Sequence, residues 1–226
     1  GGYMTFSLAG VCPTTGMVGC VITSSSICVA SRCAFTRSGV GVALTQNITN
    51  PDLGPLALSL LERGETVDTI IPTLGEADTD IQWRQLGVIG LNGQSQTFSG
   101  KEILGINARA AGKNCIAMGN LLSNTKVPQA MVEAFEASSG HLCDRLLAAL
   151  EAGQAAGGEM GPLYSAGLRV NASPAWPIVD LRVDWHENPV SKLGSLWQIY
   201  QPQMQAYITR ASDPANAKPY GVPGDE

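Results

Sequence analysis

Asp180, Arg182, Asp184 and His186 alternate along a run that reads as one strand, so four ionisable side chains project to one face. Such a face is either a binding site or a solvent-facing charge ladder held by cross-strand pairs. Arg84, just ahead of the apolar run Leu86 to Leu91, could grip a substrate carboxylate with its two-pronged guanidinium or pair with Asp78 or Asp80. Asn120 closes another apolar run, where an amide must find a partner and is either structural glue or a substrate contact. The only histidines, His141 and His186, stand in different surroundings, which excludes a metal cage built mainly from imidazoles. A Ser-His-Asp arrangement stays open only through His186, without a Gly-x-Ser-x-Gly elbow. The six cysteines lie in mostly apolar runs with no close pair and read as small, reduced packing residues. Gly16, Gly19, Gly39 and Gly41 form neither phosphate-loop pattern, so no cofactor is expected.

These residues sit on a chain of 226 residues, 44% hydrophobic and 15% charged, with a formal net charge of -5. That balance fits one densely packed domain over 1–210, followed by a Pro/Gly-rich tail at 211–226 that reads as weakly ordered. No basic patch suits nucleic acid. No apolar run reaches the ~20 residues of a spanning helix and no secretory signal is visible, so no membrane partner and a cytoplasmic location are expected.

The positioning elements follow from periodicity. Thr5 to Val11 and Met17 to Thr23 alternate with period two around the turn Pro13-Thr14-Thr15-Gly16, predicting a hairpin with Thr5 at its start. Gly39 to Thr45 is a further strand, ending in the polar cluster Gln46-Asn47-Ile48-Thr49-Asn50. Asn50-Pro51 opens a helix that Gly64 stops, and a second helical segment spans Thr66 to Glu76. Asn92-Gly93 between Leu86–Leu91 and Ser95–Ser99 is a tight hairpin signal. Cys115 to Leu122 is a strand, and leucines and other apolar residues at helical spacing give two consecutive helices before and after Ser138–Gly140. Strands at Tyr164 to Val170 and Ile178 to Trp185 precede a long helix from Pro189 past Tyr207, which Pro202 should kink. This order lacks strict βα alternation and predicts an α+β fold, a four-layer αββα sandwich of two antiparallel sheets. The aromatic stripe of the last helix, with Trp197, Tyr200 and Tyr207, predicts a homodimer.

Several segments in this order resemble one uncharacterised bacterial family, DUF 1028. They are Met4-Thr5-Phe6-Ser7, Gly39 to Gln46 followed by Asn50-Pro51, Arg84 to Val88, Gly119-Asn120, Ala148 to Gly158, and Asp180 to Asp184 with His186 and Pro189-Val190. The resemblance covers roughly residues 4 to 200. Members of that family look like N-terminal nucleophile (Ntn) hydrolases, whose fold is the same αββα sandwich.

The resemblance implies an amidohydrolase acting on a small-molecule amide or related C–N bond, with Thr5 as nucleophile and its own α-amine as base. An α-amino pKa of ~7.7 to 8.0 leaves that amine substantially neutral, so no histidine is needed. Met4 must leave first, and threonine is small enough for ordinary methionine removal. Gly1-Gly2-Tyr3 precede Met4. Either they are an appended scar, or self-cleavage or a different mechanism is required. The alternatives are that Thr5 only starts an edge strand, and that the protein is a non-catalytic binding or scaffold relative on the same fold. By the same resemblance Ser24 and Ser25 lie where such folds polarise the nucleophile, although the family often carries a basic residue near position 25. Gln46 and Asn47 could supply amide donors to a substrate or oxyanion; capping is the better account of Asn50. Glu159 matches an acidic loop position, but the cations that commonly follow it are replaced by Met160-Gly161-Pro162. With Arg84, Asn120, Asp180 and Arg182 these complete the candidate substrate-binding set.

Overall fold

The computed structural model describes residues 4–157 and 161–226. Its strands are β1 (Thr5–Cys12), β2 (Met17–Ser24), β3 (Ala34–Arg37), β4 (Gly41–Asn47), β5 (Arg84–Gly90), β6 (Ser95–Ser99), β7 (Ala108–Gly112), β8 (Cys115–Asn120), β9 (Ser165–Asn171) and β10 (Val179–Val183). Its helices are α1 (Val29–Cys33), α2 (Leu53–Glu62), α3 (Val67–Ala77), α4 (Val127–Ala137), α5 (Leu142–Ala155) and α6 (Pro189–Ser212). A six-stranded sheet, in the order β10-β9-β2-β1-β8-β7, faces a four-stranded sheet, β3-β4-β5-β6. Every strand pairing is antiparallel.

The alternation of β1 sorts its side chains between two cores. Phe6 and Leu8 join Phe135, Leu146 and Leu150 under α4 and α5, each such buried side chain contributing roughly 1.5–3 kcal/mol of apolar burial. Ala9 and Val11 pack instead with Val42, Leu44 and Ile89 between the sheets. A third core holds α2 and α3 on the outer face of the small sheet, through Leu58, Ile70, Leu74 and Val88. The protein is therefore an α+β sandwich with helices outside both sheets. By the same parity Thr5 and Ser7 turn toward the space between the sheets.

The structure adds detail to the sequence reading in some places and departs from it in others. Helix α1, strand β3 and edge strand β7 carry little propensity signal: α1 is five residues long, and β7 reads Ala-Arg-Ala-Ala-Gly. Strand β10 stops at Val183, so Asp184 and His186 do not continue the alternation. Helix α2 begins at Leu53, because the Asn50 side chain accepts from the Asp52 N–H and closes a turn ahead of it. Helix α6 runs through Pro202 as one element. The stretch after α6 makes turns of its own: Arg210 lies over the Tyr220 ring, 3.7 Å from its centroid, and the Tyr220 N–H donates to Asp225.

Candidate functional site

Thr5 opens β1 with Ser24 of β2 on one side and Asn120 of β8 on the other. It lines a cleft of about 310 Å³ at the end of the sheets, with Ser26, Val29, Arg32, Cys33, Asn47, Ile48 and Thr49. The Thr5 hydroxyl lies 2.8 Å from the Ser24 hydroxyl, which is buried and lies 2.9 Å from the Ser26 hydroxyl. Ser26 in turn accepts from Arg32 Nη2 at 3.2 Å. Three hydrogen bonds thus join the threonine to a guanidinium.

The preceding residue is held as tightly. The Met4 carbonyl accepts from Ser24 Oγ at 3.0 Å and from the Ser25 N–H at 2.9 Å, and the Met4 N–H donates to Ser25 Oγ at 3.1 Å. Because a trans peptide opposes its C=O and N–H, the Met4 carbonyl facing β2 turns the Thr5 nitrogen toward β8 and Asn120. The Met4 side chain is 1% exposed, packed in the core under the helices.

Beneath Thr5 a polar layer ties the two sheets together. Ser7 donates to Gln46 Oε1 at 2.8 Å, and Gln46 Nε2 donates to Gln85 Oε1 at 2.8 Å. Asn120 Nδ2 reaches the same Gln85 oxygen at 3.2 Å. Gln85 Nε2 donates to the Gly119 carbonyl and to Ser99 Oγ. Ser7, Gln46 and Gln85 are fully buried. A buried amide network of this kind fixes the spacing of β1, β4, β5 and β8 and therefore the position of Thr5 between them.

The far wall of the cleft is set by backbone conformation. Asn47 ends β4 in the left-handed region, at φ 76, which asparagine tolerates, and its amide bonds the Trp83 carbonyl and the Leu104 N–H. Arg84 pairs with Asp78 at 2.9 Å and donates to the Ile48 carbonyl, so it braces the cleft loop without lining the cleft. Burial pushes the Asp78 carboxyl up, but hydrogen bonds from Arg84, Asn50 and the Asp80 N–H, with the Arg84 charge, more than offset it and hold the group below its ordinary value. Arg32 arrives on α1, whose first turn is fixed by Val29 N–H donating to Ser165 Oγ and by Cys28 in the left-handed region, at φ 54. Burial pushes the neighbouring Cys33 thiol up, so it stands in the cleft as a neutral group beside Thr49.

The structure thus brings Thr5, Ser24, Ser25, Gln46, Asn47 and Asn120 to one end of the sandwich. Asp180 and Arg182 lie on the edge strand β10, separated from β1 by β9 and β2, and pair with each other at 3.2 Å. Glu159 lies outside the described residues. His186 is exposed and its Nδ1 accepts from the Asn188 N–H. Four residues of the site, Ser26, Arg32, Cys33 and Gln85, were not singled out from the sequence as site residues. Arg32 had a signal: it is the first ionised side chain in the sequence, ending a long neutral stretch, with Arg37 following. Among the described residues no group of three or more His, Cys, Asp or Glu is clustered to hold a metal ion, and no helix is long and apolar enough to cross a membrane.

The model of a family of unknown function, DUF1028, matches residues 5–193, from the first residue of β1 into the start of α6. The chain belongs to the DUF1028 family. Its fold is similar to that of another DUF1028 protein, in the crystal structure of protein SPO2555 from Silicibacter pomeroyi, with 31% sequence identity and a TM-score of 0.82. That likeness covers 88% of this chain and 89% of the other. No protein of curated function matches the chain. The DUF1028 resemblance of the sequence motifs is therefore correct, and the layered fold expected from it is present.

Proposed function

We propose that this DUF1028 protein is an Ntn-type amidohydrolase that opens an amide or related C–N bond of a small molecule, with Thr5 as nucleophile once Met4 has left. The observation that carries this reading is the placement of Thr5: its hydroxyl lines a cleft at the open end of a central strand, 2.8 Å from a buried serine hydroxyl. With Met4 attached, the Thr5 nitrogen is an amide and cannot act as a base. Its release as an amine supplies the base beside the hydroxyl.

Loss of Met4 also frees the groups now engaged with it. Ser24 Oγ and the Ser25 N–H, which hold the Met4 carbonyl, become two donors for a substrate carbonyl developing negative charge. The departing methionine side chain leaves buried space next to them. In the reaction the α-amine takes the Thr5 proton as Oγ bonds the carbonyl carbon. The C–N bond then breaks as that proton passes to the leaving nitrogen, and water hydrolyses the resulting ester to the carboxylic acid and Thr5. Gln46, Gln85 and Asn120 hold the frame, and Ser24 aligns the hydroxyl.

The test is N-terminal sequencing of protein expressed from Met4, followed by an amide screen with wild type, Thr5→Ala and Thr5→Ser. A chain starting at Thr5, with turnover abolished in Thr5→Ala and retained in part by Thr5→Ser, is expected. Turnover that survives Thr5→Ala contradicts the mechanism. A second reading, a non-catalytic binding protein, draws on the 1% exposure of Met4 and its backbone bonds to Ser24 and Ser25, which hold it in place. It applies if mature protein keeps Met4.

A further inference from the structure

The geometry points to a substrate that carries an oxyanion, a carboxylate or a phosphate, a few bonds from the amide that Thr5 attacks. This rests on the hydrolytic reading above and narrows it.

Among the described residues, Arg32 is the only charged side chain lining the Thr5 cleft. Among the described residues no carboxylate pairs with it. Two neutral acceptors orient it instead: Nη1 donates to the Cys28 carbonyl at 3.1 Å and Nη2 to Ser26 Oγ at 3.2 Å. A guanidinium has five N–H donors, so this arrangement fixes the fork, leaves donors unspent and neutralises none of the charge. The remaining lining is Val29 and Ile48, hydroxyls, one amide already bonded to backbone, and the neutral Cys33 thiol. A partly buried cation is a poor element of stability when nothing opposes its charge, and it suits recognition of a planar or tetrahedral oxyanion by two parallel bonds. Arg32 lies three hydrogen bonds from the Thr5 hydroxyl, by way of Ser26 and Ser24. An acylated amino acid or aminoalkyl phosphate spans that separation, with its amide at Thr5 and its anion at Arg32. Arg32 is thus a specificity-determining residue.

The experiment uses Thr5→Ala protein, which cannot be acylated, and isothermal titration with three acetamides that differ at one end. These are N-acetyl-β-alanine (carboxylate), N-acetyl-O-phosphoethanolamine (phosphate) and N-acetylethanolamine (neutral). At least one anion is expected to bind about tenfold or more tightly than the neutral amide, ~1.4 kcal/mol, and to weaken with salt. Arg32→Met on the same background removes the difference, and Arg32→Lys restores part of it. A thermal melt of Arg32→Met checks that the substitution, at a partly buried position, leaves the fold intact. Equal binding of charged and neutral amides, an anion preference that survives Arg32→Met, or no binding of either anion up to about 10 mM overturns the inference. Arg32-dependent anion binding without hydrolysis of any probe by Thr5-initiated wild type removes the hydrolytic reading alone and leaves the anion pocket standing.

Discussion

Replacing Gln85 by leucine should unfasten the two sheets beneath Thr5 at little change in side-chain size. The wild-type amide accepts from Gln46 and Asn120 and donates to the Gly119 carbonyl and Ser99. Leucine leaves the Gln46 and Asn120 amide groups and the Gly119 carbonyl without this partner, all in fully or nearly fully buried positions. Each stranded group costs about 1–3 kcal/mol, so the loss should be about 3–6 kcal/mol once leucine burial offsets part of it. Against a typical stability of ~5–15 kcal/mol that is a large fraction. Urea unfolding followed by tryptophan fluorescence should show the midpoint falling by about 1–2 M, for a slope near ~3 kcal/mol/M. Ser99→Ala is the control, because Gln85 keeps the Gly119 carbonyl as an acceptor, and should cost less than ~1 kcal/mol. A Gln85→Leu shift no larger than that of Ser99→Ala would refute the idea that this network fixes the sheets.

Two further outcomes follow from the packing and the ion pair around the site. The folded Asp78 carboxyl ionises below its unfolded value, so its stabilisation is fully present above about pH 4 and is lost as pH falls through the depressed folded value. Asp78→Asn should therefore be less stable than wild type at pH 7 and converge on it toward pH 3 in urea titrations; a constant gap over that range contradicts the assignment. At Gly54 on α2, an added methyl would meet the Phe35 ring at 2.1 Å. Gly54→Ala should lose about 1–3 kcal/mol by thermal unfolding, despite the ~1 kcal/mol gain in helix propensity, and a stabilised variant would contradict this packing.

Legibility in the sequence tracked how local each signal is. The β5–β6 hairpin was readable because Asn92-Gly93 marks a turn, although the loop has three residues, Leu91 to Gly93, and only Gly93 is left-handed, at φ 85, in place of the two-residue turn that the pair favours. The helices α4 and α5 were readable from one apolar face each. Helix α1 was not, because its start depends on a left-handed Cys28 and on Ser165, far along the chain. Thr5, Ser24 and Asn120 came together because strand ends in an antiparallel sheet meet at one edge. Gln85 carries no signal of its own in the sequence, since its role exists only when a second sheet supplies partners. Arg84 looked equally suited to substrate and to Asp78, and only the fold shows the pair that braces the cleft loop.

A covalent bond to Thr5 is the most direct consequence of the proposed mechanism. Untagged protein expressed from Met4 would be treated with an amide substrate or an acylating inhibitor, quenched in acid, digested and read by mass spectrometry. The expected result is an N-terminal peptide that begins at Thr5 and carries the acyl mass as a base-labile ester, absent from Thr5→Ala. A peptide that still begins with Met4, or an acyl group on any other residue, would contradict the account.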